Sequence, residues 1–200
     1  NDGSTAQAGL WPTLFGSVGA LFTCFLVIPI VNYCAQQYGK KATFIYSQSV
    51  SLLGYALLWW GFSPENPWMM FIPLPLFSFG IGGLFTIMMS MTADICDMDE
   101  LETGQRREGT FGAIYWWMVK LGAAVAGIAT GVILSLSGLD QSVQVQSEET
   151  LLWLRLSYII IPSVGTLIAI LVMRTYDLDE QRANEIRAQL DMRRAEKLAS

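Results

Sequence analysis

Histidine is absent from this 200-residue chain, and charge is scarce: only 14% of residues are Asp, Glu, Lys or Arg. A soluble domain averages about 25% charged, so an ordinary water-exposed surface is excluded. Without histidine the commonest catalytic base and metal ligand is missing. The three cysteines, Cys24, Cys34 and Cys96, are an odd number with no C-x-x-C pair. Each lies in or beside an apolar run, where a thiol behaves as a small apolar side chain. Neither a disulfide framework nor a metal site is implied. No Ser–Lys pair stands at a suitable depth for hydrolysis, so no enzyme is expected. No basic patch with interleaved aromatics points to nucleic acid. The chain opens at Asn1 without a basic n-region and short apolar h-region, and is expected to be the C-terminal portion of something longer.

What is present is apolar. Hydrophobic residues make up 52% of the chain, with seven Trp, ten Phe and nine Met among them. Apolar runs of about 20 residues recur, the length that crosses about 30 Å of hydrocarbon as a helix. The expected fold class is an all-α integral membrane protein in contact with the lipid bilayer. A polar leader, Asn1 to Gly9, precedes five expected spans at about 10–35, 42–62, 68–94, 110–136 and 151–173. They make a transmembrane bundle over 1–176, with a charged amphipathic tail helix over 177–200. Trp11 and Tyr33 are interface anchors of the first span; Pro29 inside it predicts a kink. The third span carries Pro73, Pro75 and Gly80-Ile81-Gly82-Gly83, and a bent or irregular helix is expected there. The glycine cluster lacks the Lys-Ser/Thr of a phosphate loop, so close helix packing or a bend is its expected role. Ser47, Gln48 and Ser51 of the second span are expected to hydrogen-bond between helices. Ser63 to Pro67 and Ser137 to Thr150 read as loops.

Ten of the twelve basic residues fall in the turn at Lys40–Lys41, the loop at Arg106–Arg107 and the tail from Arg174. Five alternating spans put these on one side, which the positive-inside rule makes cytoplasmic. The N-terminus is then expected outside and the C-terminus inside. Arg155, one turn into the fifth span, is expected to snorkel outward.

The charged stretch from Asp94 to Lys120 holds the candidate functional residues. Lys120 lies inside the fourth span, where an ionisable group normally faces a cavity or partner. Snorkelling or pairing with an Asp is the plainer alternative, but its depth of about ten residues favours a cavity wall. At about 100° per residue, Gly127 and Gly131 lie roughly 20° to either side of it, and Trp116 about 40° away. Lys120 therefore shares a face with a Gly-x-x-x-Gly stripe and an indole that could stack on a ligand. Asp94 and Asp97 share a helix face, and Arg106 and Arg107 follow a turn at Thr103-Gly104. We expect Asp94, Asp97 and Arg106 to form an ionic latch, and Asp99, Glu100 and Glu102 to be solvated loop.

Ala93-Asp94-x-x-Asp97, Glu100, Thr103-Gly104-x-Arg106-x-Glu108-Gly109 and Lys120-Leu121-Gly122 together resemble the glycoside–pentoside–hexuronide:cation symporters. This is the melibiose-permease-like branch of the major facilitator superfamily. Tyr38-Gly39-Lys40-Lys41 is similar to that superfamily's basic turn. Met98, Asp99 and Glu102 depart from the commoner Tyr, Gly and Lys, which makes the hinge more acidic. The resemblance covers essentially the whole chain and implies five helices of a major-facilitator C-terminal six-helix bundle plus a cytoplasmic tail helix. It implies a sugar or glycoside:cation symporter of a bacterial inner membrane, working by alternating access; a non-transporting sensor or scaffold of the same fold is the alternative. It further implies a substrate cavity lined by Lys120, Trp116, Trp117 and Phe85, and a cytoplasmic gate of Asp94, Asp97, Arg106 and Arg107. The coupling Na+ or H+ is expected to bind in an N-terminal half-bundle outside this chain, so no metal ligand is nominated here.

Overall fold

The computed structural model describes residues 3–62, 66–139, 143 and 146–199, without the side chains of 3–9, 11, 12, 67 and 197–199. The side chain of the expected anchor Trp11, and Ser63 to Glu65 of the expected loop, lie outside the described residues. Every regular element among those described is helical, as the apolar runs predict. In order they are α1 (Gly3–Phe22), α2 (Ile28–Tyr38), α3 (Lys40–Gly61), α4 (Leu74–Thr103), α5 (Glu108–Leu136), α6 (Glu148–Arg174) and α7 (Glu180–Ala199). Helix α1 already runs through most of the expected leader. The chain divides into two compact bodies, residues 1–87 with 155–175 and residues 88–154 with 176–200. Each is described by itself.

In the first body, the expected irregularity at Pro29 takes the form of a π-helical stretch, Thr23–Val27, between α1 and α2. The backbone N–H of Ile28 donates to the Thr23 carbonyl, five residues back. Pro29 has no N–H and its ring would clash with the Phe25 carbonyl in a regular helix; one wider turn relieves both defects. Gly39, at φ 81°, then turns the chain sharply into α3. That conformation suits a residue without Cβ.

Helix α4 locates the expected irregularity. Pro73 and Pro75 stand at its start, after a 3-10 turn at Pro67–Phe71, and the helix continues unbroken from Leu74 to Thr103. The irregular backbone is at its entrance. The glycines admit close neighbours, one of the two roles expected for them: a Cβ on Gly80 would overlap Ser51, one on Gly83 would overlap Ser47, and one on Gly82 would lie 2.7 Å from Val27. Gln48 Nε2 donates to the Gly80 carbonyl at 2.8 Å, which bears out its role between helices. The same expectation fails for the serines: Ser47 Oγ donates to the Phe44 carbonyl of its own helix, and the buried Ser51 Oγ makes no hydrogen bond, because both pack against glycines that bring no acceptor side chain. Thr43, Ser47, Gln48 and Ser51 are all buried on this face of α3.

That polar face explains a difference in span count. Among the described residues, four stretches are long and apolar enough to cross a membrane: Thr13–Tyr38, Trp68–Thr103, Glu108–Leu136 and Glu148–Arg174. Helix α3, the second of the five expected spans, is 22 residues long but less apolar, because hydroxyls and an amide replace aliphatic groups where it meets α4. Helix α6 contributes Ile170 and Met173 to the core of this body and keeps Pro162 inside it. Lys41 Nζ donates to the Arg174 carbonyl at 3.0 Å, so the α2–α3 turn and the end of α6 meet. Arg155 donates to the Phe62 carbonyl at the C-terminal end of α3 and lies 5.4 Å over the Trp59 ring. A guanidinium suits the carbonyl-rich end of a helix, and an indole face suits its cation.

In the second body, the end of α4, the long α5 and the tail helix α7 are the main elements. Asp179 starts α7, its Oδ1 accepting from the Arg182 backbone N–H at 2.8 Å. Ala183, Ile186 and Leu190 are buried on one face, so the tail is amphipathic as predicted. No described side chain of α5 is buried.

Candidate functional site

The end of α4 carries acids on a helix and not in a loop. Thirty residues of helix are about 45 Å long, more than the hydrocarbon needs, so the last turns continue beyond the apolar part. Asp94, Asp97 and Leu101 lie at i, i+3 and i+7, on one face. Gly104, at φ 71°, ends the helix where the Thr103-Gly104 turn was expected.

Arg106 closes back on this face. Its Nη1 donates to Asp97 Oδ1 at 3.2 Å and to Glu100 Oε2 at 2.8 Å, and its Nε to Glu108 Oε2 at 3.0 Å. Glu100, Glu108 and Asp97 together hold the guanidinium above its ordinary pKa. Arg107 Nε donates to Asp99 Oδ2 at 2.8 Å, and that carboxylate likewise raises the Arg107 pKa. Asp97 and Arg106 therefore form an ion pair. Asp94 is not paired with Arg106 by any described contact; it forms an ion pair with Arg187 of α7. Arg187 Nε also lies 3.7 Å from Asp97 Oδ2. The expectation of solvated loop fails for Asp99 and Glu100, whose side chains are largely covered and ion-paired. Glu102 is exposed, as expected.

Sequence reasoning missed the tail's part in the cluster. Arg194 Nη2 lies 3.0 Å from Glu100 Oε2, and Arg193 Nη1 donates to the Leu101 carbonyl at 2.8 Å. The available signal was periodicity: Arg187 and Arg194 are seven residues apart, on the same side as the apolar stripe of Ala183, Ile186 and Leu190. That spacing matches the acids on α4. Behind the cluster, burial and the Asp94 charge push the Tyr176 phenol up to about 12.

The expected cavity residues fall into both bodies. On α5, Lys120, Trp116 and Trp117 are exposed, and Tyr115 packs edge-on to Trp116 with ring centroids 5.4 Å apart. Among the described residues nothing approaches within 4 Å of a Cβ on Gly127 or Gly131, so their stripe faces open space. Phe85, in the first body, is an exposed residue of α4. Each residue is thus accessible, and no bound molecule defines what it meets. Among the described residues no group of three or more His, Cys, Asp or Glu could hold a metal ion.

Long apolar helices, a polar helix contact relieved by glycine, and an ion-pair cluster at the end of one long helix define a polytopic integral membrane protein. The chain belongs to the MFS/sugar transport protein family, whose sequence model matches residues 3–180. It is 30% identical to the glucuronide carrier protein homolog of Escherichia coli (strain K12), over 83% of this chain and 36% of that protein. It is 25% identical to the isoprimeverose transporter of Lactiplantibacillus pentosus, over 82% of this chain and 34% of that protein. It is 28% identical to the putative sulfoquinovose importer of Escherichia coli (strain K12), over 93% of this chain and 39% of that protein. The chain therefore spans a little over a third of the length of these relatives. No solved structure matches it significantly. The resemblance to glycoside–pentoside–hexuronide:cation symporters of the major facilitator superfamily is borne out.

Proposed function

We propose that this chain forms most of the C-terminal half-bundle of a secondary active transporter. The transporter carries a sugar or glycoside together with Na+ or H+ by alternating access, and is a carrier and not an enzyme. The observation that carries this reading is the match of residues 3–180 to a sugar-transport family. The ion-pair cluster at the end of α4 supports the same reading, because alternating access needs a closure that can be reversed. Half-exposed ion pairs are worth about 0–1 kcal/mol each. A cluster of them biases two conformations by a few kcal/mol, which differential ligand binding can overcome.

In this reading Asp97, Arg106, Glu100 and Arg107 close the cytoplasmic side, and the tail adds Arg187 on Asp94. Lys120, Trp116 and Trp117 of the second body line one wall of the sugar cavity. Lysine supplies hydrogen-bond donors to hydroxyl or carboxylate groups, and the indoles supply flat apolar faces for a pyranose ring. The opposite wall and the coupling-cation site belong to an N-terminal half-bundle outside this chain. The C-terminal tail is cytoplasmic and the start of the chain external, in a bacterial inner membrane. Basic-residue asymmetry supports that orientation, as does the meeting of Lys41 with the end of α6.

Uptake and counterflow of labelled glycosides in vesicles holding the complete protein test the proposal. Uptake driven by an imposed Na+ or H+ gradient is expected. Absence of counterflow for every sugar and glycoside supplied would refute it, and would return the sensor or scaffold alternative.

A further inference from the structure

Among the described residues, only the first span changes its hydrogen bonding in mid-helix, at the π-helical stretch Thr23–Val27 between α1 and α2. Such turns inside a helix often lie where function is carried out. Proline does not by itself force one. Pro162 is accommodated inside α6, which stays α-helical from Glu148 to Arg174. The segment before Pro29 therefore has an alternative. In the π form the Ile28 N–H donates to the Thr23 carbonyl; in a kinked α form it would donate to the Cys24 carbonyl, one residue nearer. Both forms use the same N–H, and neither receives one from Pro29. They differ by the exchange of one hydrogen bond for another, which makes the turn bistable.

The two sides of the turn are held unequally. On the α2 side Val27 and Val31 are buried. Gly82 of α4 admits Val27 so closely that a Cβ there would lie 2.7 Å from its Cγ1. On the α1 side no described side chain is buried. Helix α1 is steadied by Phe15, edge-on to Phe71 at 5.6 Å and 5.8 Å from Phe77, and by Gly19 against Leu74. An element with few buried contacts moves at low cost. Thr23 Oγ1 donates to the Gly19 carbonyl at 2.7 Å, a back-bond that favours bending of a helix.

We propose that Thr23–Val27 is a hinge on which α1 turns between two orientations during the transport cycle, while α2 stays fixed against α3 and α4. The Ile28 N–H passes between the Thr23 and Cys24 carbonyls as α1 turns. Removing the wider turn rotates α1 by about 100°, one residue's share of an α-helix, and a side chain about 5 Å from the axis then moves about 8 Å. The part the hinge plays in transport rests on the carrier reading above; the motion itself does not.

Double electron–electron resonance on the complete protein in nanodiscs tests it. Spin-label side chains are encoded in pairs in place of Val18 on α1, Tyr33 on α2 and Leu53 on α3, all exposed. The distance from Val18 to Leu53 is expected in two populations up to about 8 Å apart, and that from Tyr33 to Leu53 in one. Pro29→Ala supplies the missing N–H and removes the ring clash. It should shift the Val18 populations towards the α form at least about fivefold and slow uptake by a similar factor. Gly82→Ala crowds Val27 in the π form and should shift them the same way. Pro162→Ala, in a helix without a π turn, should leave them as they are. A Val18 distance unchanged by Pro29→Ala would overturn the proposal, as would a Tyr33 distance that splits along with it. A shifted Val18 distance with uptake unaltered would overturn it equally. Should Gly82→Ala fail to fold, Pro29→Ala decides. If the unsubstituted protein carries no glycoside, the carrier reading falls, and the two distances still decide the hinge.

Discussion

Replacing Arg187 by glutamine should loosen the tail helix more than any other single charge removal in the cluster. Its partner Asp94 has a side chain only 4% exposed, whereas Arg187 is 42% exposed. Breaking a fully buried ion pair costs about 3–5 kcal/mol, and breaking an exposed one about 0–1 kcal/mol. A pair with one buried acid and one half-exposed base falls between, at about 2 kcal/mol. The tail is otherwise held by Ala183, Ile186 and Leu190 and by Arg193 and Arg194. Local release of α7 should therefore precede unfolding of the spans. Hydrogen exchange followed by mass spectrometry on the complete protein reads this directly: amides over 180–199 should exchange roughly 30-fold faster. Adding Asp94→Asn removes the buried carboxylate charge that faced Arg187. The double variant should recover more than half of the loss, as coupled neighbours do. Unchanged exchange over 180–199 in Arg187→Gln, or no recovery on adding Asp94→Asn, would refute the reasoning.

Other consequences are testable in the same protein. Lys120→Ala should cut uptake at least about tenfold while the protein still reaches the membrane, about 1.4 kcal/mol of lost stabilisation; wild-type uptake would remove Lys120 from the cavity wall. Gly80→Ala should destabilise the protein by about 1–3 kcal/mol through overlap with Ser51, seen as a lower melting temperature in detergent. Ser51→Gly beside it should restore much of that loss. Tyr176 ionises at about 12 in the folded chain, above its ordinary value of 10.0. A raised folded pKa means its contribution is complete below pH 10 and is lost as pH rises towards 12. Tail release measured over that window should therefore flatten in Tyr176→Phe.

Much of the fold was legible because the bilayer is a strict solvent. In hydrocarbon every backbone polar group needs an internal partner, so long apolar runs leave helices as the outcome. The turn glycines and the amphipathic tail followed from local chemistry at Gly39, Gly104 and the stripe from Ala183 to Leu190. Local rules stopped where a neighbour decided the matter. Gly80, Gly82 and Gly83 were expected to serve close packing or a bend, and close packing is what they serve; that Ser51, Val27 and Ser47 are the neighbours is set by the folded chain. Pro29 forecast a kink without its form, and the π-helical turn at Thr23–Val27 supplied it. Arg155 has the Phe62 carbonyl and the Trp59 ring as partners, which its own helix does not reveal.

The charged stretch after Asp94 divides the same way. Composition and spacing alone determined that the chain is an all-helical membrane protein, and the motif from Ala93 to Gly109 determined its family. They also marked Asp97 and Arg106 as a pair, since the two lie only nine residues apart across one turn. Only the tertiary structure decided that Asp94 belongs to Arg187, 93 residues further on, and that Asp99 and Glu100 are held on a helix by arginines. A sequence shows which charges are present and how they repeat. Which distant charge meets a buried carboxylate depends on where the folded chain brings the tail, and no local periodicity carries that information.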